Sequence, residues 1–223
     1  MIIDVPVLSP TRTRLALLAL ALGGFGIGAT EFVAMGLLPQ IAQNLLPDVW
    51  ASSSDDAIAQ AGVMIAAYAL GVVVGAPTIA VFAARLPRRA ILLGLTIAFT
   101  LGTIASALAP TFELVVLFRF IAAVPHGAYF GIAALVAASL MGPGKRGQGV
   151  ALVLSGLTVA NVIGVPLITA LGQVSGWRIA YLVVAGIFAA SVLAIRLTVP
   201  WQPGDPDDLQ APLGKIGFQQ LDR

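Results

Sequence analysis

The sequence predicts an all-α membrane protein with six transmembrane helices. Its 223 residues are 59% hydrophobic and only 10% charged, whereas soluble domains carry charge on about a quarter of their residues. So few charges suit a surface that faces lipid rather than water. Uncharged apolar stretches, each of about 20 residues or more, recur six times and use most of the length. A membrane barrel would instead have strands that alternate polar and apolar residues, and this sequence lacks that alternation.

Each of the six stretches is long enough to cross a hydrocarbon core of about 30 Å. They cover residues 15–38, 58–84, 90–109, 114–140, 150–171 and 179–197, and the longest predicted loop between them is 39–57. Arg12 and Arg14 resemble the start of a signal peptide, but the apolar run behind them is long and five more follow. We therefore interpret this run as an uncleaved span. The predicted organisation is a tail over 1–13, a transmembrane domain over 14–197 and a tail over 198–223.

The basic residues predict the orientation of the chain. Ten of the twelve Lys and Arg residues fall in segments that share one side of a six-span protein, and Arg178 alone falls on the other side. The ten are Arg12, Arg14, Arg85, Arg88, Arg89, Lys145, Arg146, Arg196, Lys215 and Arg223. Because basic residues concentrate in cytoplasmic segments, we expect both termini in the cytoplasm.

Composition excludes several classes of function. No run of Lys and Arg is longer than two residues, so a nucleic-acid-binding surface is not expected. Cysteine is absent and His126 is the only histidine, so neither a metal site nor a cofactor is predicted. An intramembrane serine protease needs the pattern Gly-x-Ser-Gly, whereas Val153 and Leu154 precede Ser155. We therefore do not expect an enzyme.

Ionisable residues inside the spans are the main functional signal. A charge in hydrocarbon costs at least about 2.5–3.5 kcal/mol, so it should face a cavity or a partner. By helical rise, Glu31 lies about 12 Å below the outer end of the first helix, and Arg119 lies about 9 Å below that of the fourth. Their similar depth and opposite charges predict that they face each other, with Glu31 exchanging protons. A purely structural buried pair is the alternative.

Other polar residues lie at a similar level in several spans. His126 follows Arg119 by seven residues, so it lies on the same helix face and near the midplane, as a third candidate for proton coupling. The residues expected to line a substrate cavity are Tyr68, Tyr129, Thr158 and Asn161. Polar cavities near the midplane are typical of secondary transporters. The alternative for each of these residues is a hydrogen bond or a packing contact between helices.

Several motifs resemble those of the major facilitator superfamily, in particular its drug–proton and sugar–proton antiporters of the arabinose-efflux type. The similar segments are 30–39 in the first span, 68–77 in the second, 84–89 in the turn that follows, 119–131 in the fourth, 156–166 in the fifth and 176–178 before the sixth. They stand in the family's order and extend over nearly all of 14–197. The residues that the resemblance ties to conformational change are Gly75, Pro77, Arg85, Arg88, Arg89, Gly156, Gly164 and Pro166.

The resemblance implies a fold, a function and partners. The implied fold is the amino-terminal half of a twelve-helix transporter, a six-helix bundle built as a 3+3 inverted repeat. The implied function is export of a small organic solute, such as a sugar or a drug, in exchange for protons across the bilayer. Ala84 stands where the family usually has Asp, and Pro87 where it usually has Gly. The family's cytoplasmic charge relay is therefore not expected to be intact.

A six-helix half implies that a second half is needed for transport. A missing carboxyl-terminal half, a separate chain and a second copy of this chain are the candidates. The tail over 198–223 takes the place of the family's long central loop, which favours a truncated sequence. A non-transporting membrane subunit is the alternative from a different class of function.

Overall fold

The computed structural model describes residues 8–83 and 86–202, and the regular secondary structure in these ranges is entirely helical. Six helical segments among them are long and apolar enough to cross a membrane. Their ranges are Pro10–Gly36, Ser54–Ile79, Arg88–Leu108, Phe112–Met141, Arg146–Ser175 and Trp177–Thr198. The predicted all-α fold with six spans is therefore confirmed. The predicted positions Ala84, Arg85, Lys215 and Arg223 and the tail segments 1–7 and 203–223 lie outside the described residues.

Six helices form the first three spans and the connection between the first two. They are α1 (Pro10–Gly36), α2 (Leu38–Leu45), α3 (Pro47–Ser52), α4 (Ser54–Ala61), α5 (Val63–Ala83) and α6 (Arg88–Leu108). A proline in the first turn starts α1, α2 and α3, where its fixed backbone angle suits the helix and its missing N–H is not needed. The Ser9 hydroxyl also caps α1 by accepting a hydrogen bond from the Arg12 amide.

The segment predicted as the longest loop, 39–57, is largely helical, so that prediction was wrong. Ala42 and Leu46 pack with Ala57, Ala61 and Phe112 in a small apolar cluster beside the main core. The apolar residues are spaced by four, as on one helix face. Polar residues separate these apolar positions, so the segment contains no apolar run as long as a membrane span. A search for such runs therefore does not detect these short helices.

The last three spans are formed by five α-helices and one π-helical segment. They are α7 (Phe112–Ala123), α8 (His126–Met141), α9 (Arg146–Val159), the π-helical segment Ala160–Gly164, α10 (Val165–Ser175) and α11 (Trp177–Thr198). Two of these spans are interrupted next to a proline, which lacks the N–H of a helical hydrogen bond. Pro125 separates α7 from α8, and Pro166 follows the π-helical segment. The second of these is a predicted motif residue.

Glycines allow the spans to approach each other closely. A β-carbon added at Gly156 on α9 would overlap the carbonyl oxygen of Ala21 on α1, and one added at Gly75 on α5 would overlap the carbonyl oxygen of Val124. Gly164 likewise leaves room for the ring of Phe25. Small residues at such crossings let helix backbones meet in lipid. These motif glycines therefore set the spacing of the bundle.

Pro77 is accommodated inside α5 without ending the helix. The hydroxyl of Thr78, the next residue, donates to the carbonyl oxygens of Val74 at 2.8 Å and Gly75 at 3.0 Å. Hydroxyl groups can satisfy backbone carbonyls in this way where a proline interrupts a membrane helix.

Arginines tie together the two ends of the bundle. At one end, the Arg89 guanidinium donates to the carbonyl oxygen of Arg196 at the end of α11, and the Arg88 amide donates to the Gln202 carbonyl at 3.0 Å. At the other end, Arg178 donates to the Asn44 side chain on α2 and to the carbonyl oxygen of Ala109 after α6. The connecting helix α2, the end of α6 and the start of α11 are thus held together.

Substituting Gly156 by Ala should lower the melting temperature of the purified chain, because the new methyl group overlaps the Ala21 carbonyl. Overpacking of this kind costs about 1–3 kcal/mol. Gly131→Ala is the matched control, since nothing lies within 4 Å of a β-carbon there. Thermal unfolding in detergent, followed by tryptophan fluorescence, measures both. Equal melting temperatures for Gly156→Ala and the unaltered chain would contradict the close crossing of α1 and α9.

Candidate functional site

Arg119 on α7 is a buried charge inside the fourth span, with only 1% of its surface exposed. Its Nη1 donates to the carbonyl oxygen of Thr30 on α1 at 2.7 Å and to the hydroxyl of Thr30 at 3.3 Å. Its Cζ lies 4.3 Å from the ring centroid of Tyr68 on α5 and 5.8 Å from that of Tyr181 on α11. Four spans therefore meet around one guanidinium.

The partners of Arg119 are neutral. A carbonyl dipole and the electron-rich faces of aromatic rings both attract a cation, and the attraction is stronger away from water. Nε and Nη2 of Arg119 are buried and have no hydrogen-bond partner among the described side chains and backbone. Two donor nitrogens of the guanidinium are therefore unused in this arrangement.

Tyr68 links Arg119 to His126. Its ring lies under the guanidinium, while its hydroxyl shares a hydrogen bond of 3.1 Å with Nδ1 of His126 at the start of α8. Tyr68 is 2% exposed, and the two rings meet edge to face with centroids 5.9 Å apart. The sequence placed Tyr68 among the cavity residues. The structure places it between two of the predicted coupling residues.

Glu31 lies next to this group but is not in an ion pair with Arg119. An ion pair requires a nitrogen and a carboxylate oxygen within 4.0 Å, and no nitrogen of Arg119 lies that close to the Glu31 carboxylate. The positive charge of Arg119 still acts on Glu31 through space. Arg119 instead binds the residue before it, Thr30. The Glu31 side chain is partly exposed, and no hydrogen bond to it is present within 8–83 and 86–202. The predicted proximity is therefore present without the predicted direct contact.

Tyr181 is a member of this group that the sequence analysis missed. It is 2% exposed, its ring faces Arg119, and its hydroxyl is buried without a hydrogen-bond partner in the described part of the chain. On its other side, its ring meets Trp177 at a centroid distance of 5.5 Å. Tyr181 lies about 6 Å along α11 from its first residue, Trp177, and Arg119 lies about 10 Å along α7 from Phe112, so the two have a similar depth. The same depth argument that selected Glu31 could have found it.

Tyr129 lies away from His126 even though the two are one turn apart. Its hydroxyl donates to the carbonyl oxygen of Leu20 on α1 at 2.8 Å, and the residue is fully buried. A β-carbon at Gly23 would overlap its ring. This position gives Tyr129 a hydrogen bond within the bundle and no open surface. Its role in substrate binding stays a prediction.

Thr158 and Asn161 are exposed, and the structure does not bring them into contact with Arg119, Tyr68 or His126. Thr158 lies near the end of α9, and Asn161 lies in the π-helical segment. Both are about 140–200° around the helix from Gly156, the position that packs on α1. They are therefore on an open face of the fifth span, and their role in substrate binding also stays a prediction.

Comparison with protein families identifies the group to which this bundle belongs. The family model of the Major Facilitator Superfamily matches residues 20–221. The chain belongs to this superfamily. Its members are membrane transporters, not enzymes, so the expectation of a non-enzymatic protein is confirmed. The resemblance inferred from the motifs at 30–39, 119–131 and 156–166 is confirmed as well.

Two relatives match this chain over less than half of their own length. Inner membrane transport protein YdhP of Escherichia coli K12 is 43% identical over 184 residues, which are 82% of this chain and 45% of YdhP. A chloramphenicol resistance protein of Streptomyces lividans is 34% identical over 186 residues, which are 83% of this chain and 45% of that protein. The chain therefore spans about half the length of these superfamily members.

A solved structure shares the fold. A bacterial homologue of the human lysosomal transporter Spinster, in an inward-facing and unoccupied conformation, matches with a TM-score of 0.71 at 23% identity. The match covers 94% of this chain and 48% of the homologue. The bundle is thus a half-bundle of the major facilitator fold.

Tyr68→Phe should destabilise this superfamily half-bundle, because it removes the hydrogen bond to His126 and leaves a nitrogen of that partly buried ring without this partner. The loss expected for one such bond is about 1 kcal/mol. Tyr181→Phe is the matched control and should cost little, since its hydroxyl has no partner. The measurement is the free energy of unfolding in mixed detergent micelles. Equal losses for the two variants would argue against the Tyr68–His126 bond.

Proposed function

We propose that the chain is the amino-terminal half of a proton-coupled efflux transporter in the inner membrane, which exports a small organic solute. The observation that carries the proposal is the arrangement of charges at the site. Arg119 is buried and held by neutral groups, while the carboxylate of Glu31 stands beside it, partly exposed and without an ion-pair partner. A carboxylate in that position is accessible to protons and to a solute.

Competition for one carboxylate provides a simple mechanism of exchange. When Glu31 is ionised, it offers an acceptor to a cationic or hydrogen-bond-donating solute. When it binds a proton, that acceptor is lost and the nearby charge of Arg119 is no longer offset, which disfavours a cationic solute further. A solute and a proton that exclude each other at one site are carried in opposite directions when the protein alternates between two access states.

Arg119, Tyr68 and His126 would connect this site to the rest of the bundle. The guanidinium touches α1, α5 and α11, and Tyr68 reaches α8 through His126. A change of charge at Glu31 therefore acts on groups from four other elements. Interfaces of this kind respond by shifting between discrete arrangements.

The distribution of basic residues supports the proposed orientation. Arg12 and Arg89 line one small cavity, and Arg14 and Lys145 line another, so these four residues lie at the same end of the bundle. Arg178 lies at the opposite end. The end that is rich in basic residues would face the cytoplasm.

The names of the relatives support transport as the function. YdhP is an inner membrane transport protein, and the Streptomyces lividans relative is a chloramphenicol resistance protein. Because both are about twice as long as the matched region, we propose that transport needs a second six-helix half. That half could be a continuation of the chain, a separate chain or a second copy. A non-transporting subunit or an inactive fragment is the alternative.

The proposal can be tested by supplying the second half. The chain is co-expressed with the carboxyl-terminal six helices of YdhP, purified and reconstituted in liposomes that contain a pH-sensitive dye. Chloramphenicol is the probe solute. We expect chloramphenicol to move protons across the membrane, and Glu31→Gln to reduce that movement to the level of empty liposomes, because a carboxamide cannot exchange a proton in this range.

Glu113→Gln is the matched control, since Glu113 is an exposed carboxylate at the start of α7 and should not take part. If the Glu31→Gln variant still moves protons, a residue other than Glu31 must couple proton movement to transport. A stable complex that binds chloramphenicol but moves no protons would favour the non-transporting subunit.

A further inference from the structure

We propose that a crevice at the basic end of the bundle binds an anionic phospholipid, with the phosphate between Arg14 and Lys145. The crevice lies between the start of α1 and the connection from α8 to α9, and its volume is about 620 Å³. Its polar wall includes Arg14, Lys145 and Gln148, and its apolar wall includes Leu17, Leu18 and Leu152. We call it the basic crevice.

The polar wall offers positive charge, and no acidic residue is among the described residues that line it. Arg14 and Lys145 are exposed, and the side chain of neither forms a hydrogen bond or an ion pair with any residue that the structure describes. The amide of Gln148 adds a hydrogen-bond donor. A guanidinium binds two oxygens of one phosphate at once, and an ammonium adds a second charge. This donor set suits a phosphate diester.

The apolar wall begins one helical turn deeper. Leu18 lies about 6 Å beyond Arg14 along α1, and Leu152 lies about 10 Å beyond Lys145 along the fifth span. Leu18 is 57% exposed and Leu152 is 38% exposed. Charges at the rim followed by exposed leucines match the order of a phospholipid, in which the headgroup precedes the acyl chains.

The basic crevice faces away from the proposed transport site. Leu18 and Glu31 are 13 residues apart on α1, which places them about 140° apart around the helix. Leu152 and Asn161 are nine residues apart, about half a turn around the fifth span. The exposed side chains of Val159 and Ile163 continue the apolar surface deeper along the fifth span. An occupant of the basic crevice would therefore lie against the lipid-facing side.

The choice of a lipid over a free anion follows from the shape of the site. A free phosphate would use the cations and leave the apolar half unfilled. A zwitterionic phospholipid would fill the apolar half and offer its phosphate to the two cations, but its own ammonium group would add a third positive charge beside them. An anionic phospholipid satisfies both halves, and basic pockets between spans on the cytoplasmic side suit such headgroups. The proposal does not depend on transport.

Native mass spectrometry of the full chain in detergent tests the proposal, with phosphatidylglycerol and phosphatidylcholine of identical acyl chains as probes. Phosphatidylglycerol should bind more tightly. Arg14→Gln and Lys145→Gln should each weaken its binding about five-fold, and together about 30-fold, as expected for one surface cation each. Arg146→Gln is the matched control: Arg146 is equally exposed and adjacent in sequence but does not line the basic crevice. The Lys145→Arg variant should still bind phosphatidylglycerol, because it keeps the positive charge. This result would show that Lys145→Gln acts through loss of charge and not through loss of fold.

Three results would overturn the proposal. An equal effect of Arg146→Gln would mean that only the general surface charge matters. Displacement of phosphatidylglycerol by an equal concentration of glycerol phosphate would mean that the site binds an anion without its acyl chains. Binding that begins only after residues 1–7 are deleted would mean that the chain's own first residues occupy the basic crevice.

Discussion

A guanidinium that is fully buried within a membrane span must be compensated by the protein around it. In this bundle the Thr30 carbonyl and the rings of Tyr68 and Tyr181 supply that compensation. Each comes from a different span, so the charge of Arg119 favours one relative placement of α1, α5, α7 and α11. Losing any of these partners leaves a charge in a low-dielectric interior, where it is costly. The contacts that hold Arg119 in the site therefore also fix how these four helices pack against each other.

Close helix contacts make this constraint possible. Tyr68, Gly71 and Gly75 lie on one face of α5, at the spacing of successive helical turns. Both glycines approach carbonyl oxygens of the fourth span so closely that a β-carbon at either would overlap. The face of α5 that carries Tyr68 therefore packs tightly against α7. This packing brings the centroid of the Tyr68 ring to 4.3 Å from Cζ of Arg119. Larger residues at the two glycines would move the ring away from the charge.

Hydropathy, charge and helical rise were sufficient to predict the spans and the depth of the charged residues. They did not give the direction in which each side chain points. Glu31 and Arg119 lie at the predicted level, yet Arg119 binds the preceding residue, Thr30. Tyr129 was expected to line a cavity, but its ring points into the packing between α1 and α8. Tyr181 went unnoticed because the charged residues of its span, Arg178 and Arg196, lie near the two ends and draw no attention to that depth. The rotation of each helix around its axis depends on packing against distant parts of the chain. It could not be predicted from the spacing of residues in a single sequence.

The central claim is that Arg119 is held by neutral partners, which leaves Glu31 free to exchange protons. Two double-mutant cycles on the unfolding free energy test it, one with Arg119→Met and Tyr68→Leu, the other with Arg119→Met and Glu31→Gln. A buried cation–aromatic pair should give a coupling of about 2 kcal/mol, whereas Glu31, on which Arg119 acts only through space, should give a smaller coupling. We expect the Tyr68 cycle to show the larger coupling. A larger coupling in the Glu31 cycle would mean that the carboxylate and the guanidinium form an ion pair, which would contradict the claim that neutral groups alone hold Arg119.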